Sequence, residues 1–290
     1  MSTSLASAAG AQRPWVLRNL HPLPVVAVRL MRMVSTDDVV FRRVSELIRV
    51  DAAFSAEVLR LANSPLLGCR QEVRGILNAL AVLGLDRLKG LVMTVALRNF
   101  LASTLDVPVL LRCWRHSLAC ALLAEILAEA CWLDKDPCYT AGLLHDLGRL
   151  SLLETYPGEY AGLLETVDED QGDATSLMEY EREMFDADHC QIGAWLAEDW
   201  GLPPELRDTI GRHHEPPDHG RLDQHTIIHI SCRLADMLGF QAAGPARLDS
   251  QEDLKREFPQ CGWDRLKSDR ELLLAVAGKI NALECSLFAS

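Results

Sequence analysis

Apolar residues recur at three- and four-residue intervals along almost the whole chain, a rhythm that suits helices and little else. The stretches "VVAVRLMRMV" (25–34), "FRRVSELIRV" (41–50), "FSAEVLRLAN" (54–63), "GILNALAVLG" (75–84) and "RLKGLVMTVALRNFL" (87–101) each set charges between apolar turns. Asp51 and Asp86 stand where N-caps belong, and Gly68 and Gly84 where helices should stop. Period-two runs bounded by tight-turn dipeptides are missing, so the chain reads as all-α. Asp106-Val107-Pro108 interrupts the pattern. Beyond it the spacing predicts helices over 109–133, 139–153, 188–200, 203–214 and 223–240, with an acidic loop and one short helix over 154–188. The expected division is a disordered lead (1–17), a first helical half (18–108), a second (109–240), and a linker with a closing apolar helix (241–290).

Composition limits what such a bundle can do. With 290 residues, 49% of them hydrophobic, the chain can fill a sizeable core. Its net charge of −12 and its lack of Lys/Arg runs disfavour direct contact with nucleic acid or a membrane surface. The nine cysteines contain no CxxC pair and match no zinc spacing, so they read as reduced thiols rather than a thiolate metal site. The first residues carry neither a basic nor an apolar signal region, and no apolar run approaches the ~20 residues of a membrane span. A cytoplasmic location is the expectation.

The histidines carry the chemistry. His116 shares a helical face with Ala119, Cys120, Leu123 and Leu127, so it points inward. In "GLLHDLGRL" (142–150), His145 and Asp146 lie about 100° apart on their expected helix and can reach one ion between them. His189 points inward with Ile192, Gly193, Leu196 and Trp200, and His213-His214 end a helix before "EPP". Asp236 shares a stripe with His225, His229 and Cys232, opposite Ile227, Ile230, Leu234 and Leu238. For His225 a solvated stripe is the favoured reading; a helix held between two layers would instead turn that stripe toward the site. Several inward imidazoles and carboxylates each cost a few kcal/mol unless they share an ion or a hydrogen-bond network. Imidazole and carboxylate donors suit one divalent ion such as Fe, Mn, Zn or Ni.

The order His116, His145-Asp146, Asp236 resembles the HD superfamily of metal-dependent phosphohydrolases. The further His189, His213 and His214 resemble the additional ligands of its HD-GYP branch, which hydrolyses cyclic di-GMP. "HPLPVVAVRLMRMV", "LANSPLLG", "AGLLHDLGRL" and "IGAWLAEDWGLPPEL" together are similar to the HDOD (HD-related output domain) family of bacterial signalling, over roughly residues 18 to 240. That resemblance implies an N-terminal helical half packed on an HD-like helical half, with signal output through protein contacts and without catalysis. It implies His116, His145, Asp146 and Asp236 as metal ligands, with His189, His213 and His214 as further candidates. The departures matter as much. Arg149 stands where HD-GYP enzymes have lysine, the GYP tripeptide is absent, and Arg112 replaces an acidic ligand one turn before His116. Two alternatives remain: a one-metal phosphohydrolase, and a nucleotide-binding sensor with Arg112 and Arg149 on its phosphates.

Overall fold

The computed structural model describes residues 14–288 apart from 23–24, 33–37, 65–66, 68–71, 171, 173, 219–220, 245–253, 255, 259 and 267. Among these there is no strand, and the fold is all-α as the periodicity requires. A 3-10 turn, Trp15–Arg18, buries Val16; residues 1–13 of the expected disordered lead lie outside the described residues. The first half consists of α1 (Val25–Met31), α2 (Asp38–Arg49), α3 (Ala52–Ala62), α4 (Ile76–Leu83) and α5 (Leu85–Phe100). The second consists of α6 (Pro108–Ala130), α7 (Lys135–Leu144), α8 (Leu147–Thr155), α9 (Pro157–Glu169), α10 (Ala174–Phe185), α11 (His189–Asp199), α12 (Pro204–Arg212) and α13 (Gln224–Met237). A short α14 (Gln260–Trp263) and a long α15 (Asp269–Phe288) follow.

Local chemistry sets several boundaries. Asp51 caps α3 by accepting the Phe54 N–H, as expected. Gly84, at φ +80°, ends α4 and starts α5, so Asp86 sits in the first turn of α5 rather than at its cap. Gly68 is outside the described residues. Asn63, after α3, uses its amide to donate to Leu59 O and Val73 O and to accept from Val73 N–H, at 2.9, 2.8 and 2.7 Å. It ties the end of α3 to the extended approach to α4 although the residue itself is exposed.

Two expectations need correction. The acidic stretch after 154 is not a loop with one short helix but the pair α9 and α10. Tyr160, Leu163, Leu164 and Val167 make a buried stripe at helical spacing, which the surrounding acidic residues obscure in the sequence. The helix expected over 139–153 is broken at His145–Asp146 into α7 and α8. The physical reason is that the two pieces serve different partners, α7 packing along α6 and α8 along α11.

α6 is the centre of the molecule. It is buried on every side from Ser117 to Glu125 and packs on α7, α13 and α15. α5 joins the halves by packing on α7. Arg87 on α5 reinforces that seam, pairing with Glu125 of α6 at 2.7 Å and Asp136 of α7 at 3.3 Å. No helix among the described residues is long and apolar enough to cross a membrane.

Candidate metal centre

Five parts of the second half converge on one buried point. α6 brings His116 and Cys120, and the α7–α8 junction brings His145 and Asp146. The start of α11 and the end of α12 bring His189, His213 and His214, while α13 brings Cys232 and Asp236. Two glycines make this convergence possible. A Cβ on Gly142 would lie 2.7 Å from Ala121 Cα and 2.8 Å from Cys120 O, so only glycine lets α7 rest on the α6 backbone. A Cβ on Gly148 would lie 2.0 Å from His189 O and 2.6 Å from Gly193 N, so α8 rests on α11 in the same way. These contacts carry His145 to His116, with ring centroids 5.3 Å apart, and bring Asp146 against His189 and His213.

Backbone carbonyls orient the rings. His116 Nδ1 donates to Phe240 O at 2.8 Å, His145 Nδ1 to Gly142 O at 2.7 Å, and His213 Nδ1 to Ile210 O at 2.9 Å. A carbonyl only accepts, so the proton of each neutral ring sits on Nδ1 and Nε2 faces inward as a ligand atom. Nε2 of His145 and of His213 makes no hydrogen bond of its own. His189 is held differently: Glu181 Oε2 accepts from its Nδ1 at 2.6 Å and from its backbone N–H at 2.8 Å. Tyr160 donates its hydroxyl to the other Glu181 oxygen.

Asp146 is fully buried, and neither oxygen makes a hydrogen bond of regular geometry. Its charge is met by ions and rings instead. Arg149 Nη1 lies 2.8 Å from Oδ2, His213 Nε2 3.4 Å from Oδ1 and His189 Nε2 3.6 Å from Oδ1. Burial opposes ionisation, but Arg149 and the histidines outweigh it and hold Asp146 well below its usual range. Arg149 is itself 3% exposed and also reaches His189 Nε2 at 3.3 Å. Burial opposes its charge too, and Asp146 overrides that to keep it protonated.

The other expected residues are distributed around this point. Asp236 Oδ1 lies 3.5 Å from His116 Nδ1, the edge of the ring that faces away from the Nε2 side. Its carboxyl is pushed up to about 7, by burial first and by Cys232 second. Arg112 pairs with Asp168 at 2.7 Å. His214 Nε2 lies 3.1 Å from His189 Nε2. His225 and His229 are 7% and 5% exposed, so the stripe they share with Cys232 faces inward; the solvated reading of His225 is corrected by α13 packing between α6 and α12.

The donor set fits a metal ion. The ligand atoms of His145, Asp146 and His213 lie within 4.8 Å of one another, as do those of His116, Cys120, His145 and Cys232, and those of His189, Cys190, His213 and His214. The cysteines and Glu181 are what the sequence reading missed. Cys120 is one turn after His116, and Cys232 one turn before Asp236, but the two cysteines pair across helices and so leave no CxxC spacing along the chain.

Known proteins agree with this architecture. The HDOD domain family matches residues 20–216. An uncharacterized protein of Treponema pallidum (strain Nichols) is 31% identical over 202 residues, 69% of this chain and 38% of that protein. Ribonuclease Y of Thermus thermophilus is 28% identical over 142 residues, 49% of this chain and 19% of that enzyme. The chain thus spans well under half the length of either relative. Among solved structures, an HDOD domain protein from Geobacter sulfurreducens shares the fold with a TM-score of 0.69 at 24% identity, covering 95% of this chain and 98% of that one. With the motif order, the two packed halves and this match over most of its length in agreement, the chain belongs to the HDOD family.

Proposed function

We propose that this chain is a signal-output module that acts through protein contacts and does not hydrolyse phosphodiesters. The observation that carries this reading is the buried guanidinium of Arg149 on Asp146 Oδ2 at 2.8 Å. A metal-dependent phosphohydrolase of the HD kind needs its aspartate free to hold a divalent ion. Here a permanent cation, which cannot act as a proton donor near neutral pH, already holds that oxygen and contacts His189. The candidate ligands are also deeply buried, with His145, Asp146, His189 and His213 all at 0% exposure. The acidic net charge of −12 directs the choice of partner toward protein rather than nucleic acid or membrane.

A second reading, a one-metal phosphohydrolase, has one observation in its favour: Nε2 of His145 and of His213 lacks a hydrogen bond, as do both oxygens of the neighbouring Asp146. These residues would hold the ion, and such an ion supplies Lewis-acid activation when bound. The sensor alternative asks Arg112 and Arg149 to hold phosphates, and each is already engaged with a carboxylate, Asp168 and Asp146 respectively. A ligand would have to displace both.

The test is an assay for cyclic di-GMP hydrolysis with manganese or iron supplied. The expected result is release no faster than in buffer. Turnover that disappears in Asp146→Ala would overturn the proposal in favour of the one-metal enzyme. A thermal-shift screen with a nucleotide panel, expected to be flat, tests the sensor alternative in the same way.

A further inference from the structure

The group formed by His116, Cys120, His145 and Cys232 competes with the group formed by His145, Asp146 and His213 for the same imidazole, so one ion cannot use both. We infer that the metal site of this protein is the thiolate one: a tetrahedral centre with two sulfur and two nitrogen ligands, Cys120, Cys232, His116 and His145, built for a zinc-class divalent ion. Three observations favour it over the carboxylate set.

The first is distance. Tetrahedral zinc with Zn–S near 2.3 Å and Zn–N near 2.0–2.1 Å separates a sulfur from a nitrogen ligand by ~3.5 Å. His116 Nε2 lies 3.5 Å from Cys120 Sγ and 3.5 Å from Cys232 Sγ. The second is orientation. Carbonyls of Phe240 and Gly142 fix the two rings by their Nδ1 atoms, so Nε2 of each is turned to the same point with its outer partner already in place. His145 Nε2 has no hydrogen bond there. The third is charge. Arg149 neutralises Asp146, whereas the two sulfurs lie among imidazoles with, among the described residues, no lysine or arginine bonded to them. Two thiolates cancel a divalent charge within a fully buried site, and their protons leave to solvent as the ion binds.

Four protein ligands complete the shell, so this centre clamps α6, the α7–α8 junction and α13 together and leaves no open position for a substrate. The inference is separate from the absence of hydrolysis, and the two fail separately.

The experiment uses the full chain, purified without chelator and then loaded with zinc or with cobalt(II). X-ray absorption of the zinc form should show a mixed shell containing sulfur at about 2.3 Å. The cobalt form should show the sulfur-to-metal charge-transfer band of a tetrahedral thiolate site. Cys120→Ser and Cys232→Ser should each weaken zinc binding by more than the ~100-fold that loss of an outer partner can cost. Cys138→Ser, at a buried cysteine remote from the group, and Asp146→Asn should both keep the sulfur shell. A purely nitrogen and oxygen shell, its loss in Asp146→Asn, or no zinc uptake by the wild type would each overturn the inference. The wild-type spectra decide even if a serine variant fails to fold. Hydrolysis by protein whose sulfur shell is intact would overturn the proposed function and leave this centre standing.

Discussion

Glu181 shows how a single residue can govern the centre without touching its core. It is fully buried, and it accepts from Tyr160 on one oxygen and from His189, twice, on the other. Burial opposes its charge, yet His189 and Arg149 with these hydrogen bonds outweigh it, so its carboxyl lies below the usual 4.5. A group depressed in the folded state stabilises the fold fully above its unfolded value and loses that contribution as pH falls through the folded one. Glu181→Gln should therefore be less stable than the parent at neutral pH, with the gap narrowing once pH drops below 4.5. Urea unfolding at several pH values measures this; a gap independent of pH would show that the carboxylate's charge plays no part. Nothing in the sequence singled Glu181 out. It sits eight positions before His189 in an acidic stretch, and only the packing of α10 on α9 and its hydrogen bonds to His189 turn it inward. His116, His145, Asp146 and His189 were legible because each lies on an otherwise apolar face.

At the scale of elements, the helices themselves were legible from spacing, and their ends much less so. The break between α7 and α8 has no proline to announce it, and Asp146 at the N-cap of α8 makes no side-chain cap bond; the break arises because Gly142 and Gly148 rest on different neighbours. Gly148→Ala should destabilise the chain by more than about 3 kcal/mol, the upper part of the range for an overpacked core, because the obstacle is backbone. Gly162→Ala on α9, where a Cβ meets nothing within 4 Å, should instead stabilise it by up to about 1 kcal/mol through helix propensity. Thermal melts of the two variants shifting in the same direction would contradict this account. Asn63 supplies a second case. Asn63→Leu removes both halves of the bridge to Val73, whose own backbone is buried, and should cost about 1–3 kcal/mol. An unfolding midpoint equal to wild type would mean that Asn63 is only a helix stop.

For the whole molecule, family membership could be read from motifs, because "LANSPLLG" and "AGLLHDLGRL" follow one another in the order the family shows. The makeup of the centre could not, because Cys120 and Cys232 are 112 positions apart and meet only when α13 folds onto α6. The two glycine seams have a further consequence, in time rather than in space. Where backbone rests on backbone, there is no side chain whose rotation could loosen the contact. α6, α7, α8 and α11 thus open together or not at all. Their amide hydrogens should exchange with solvent at the slowest rate in the chain, whereas α4, which leaves Leu77 and Val82 half exposed, should exchange sooner. Hydrogen-exchange mass spectrometry that found both regions equally fast would dissolve this rigid block. Otherwise the block answers a stimulus as a single piece, and motion is left to the helices along its border.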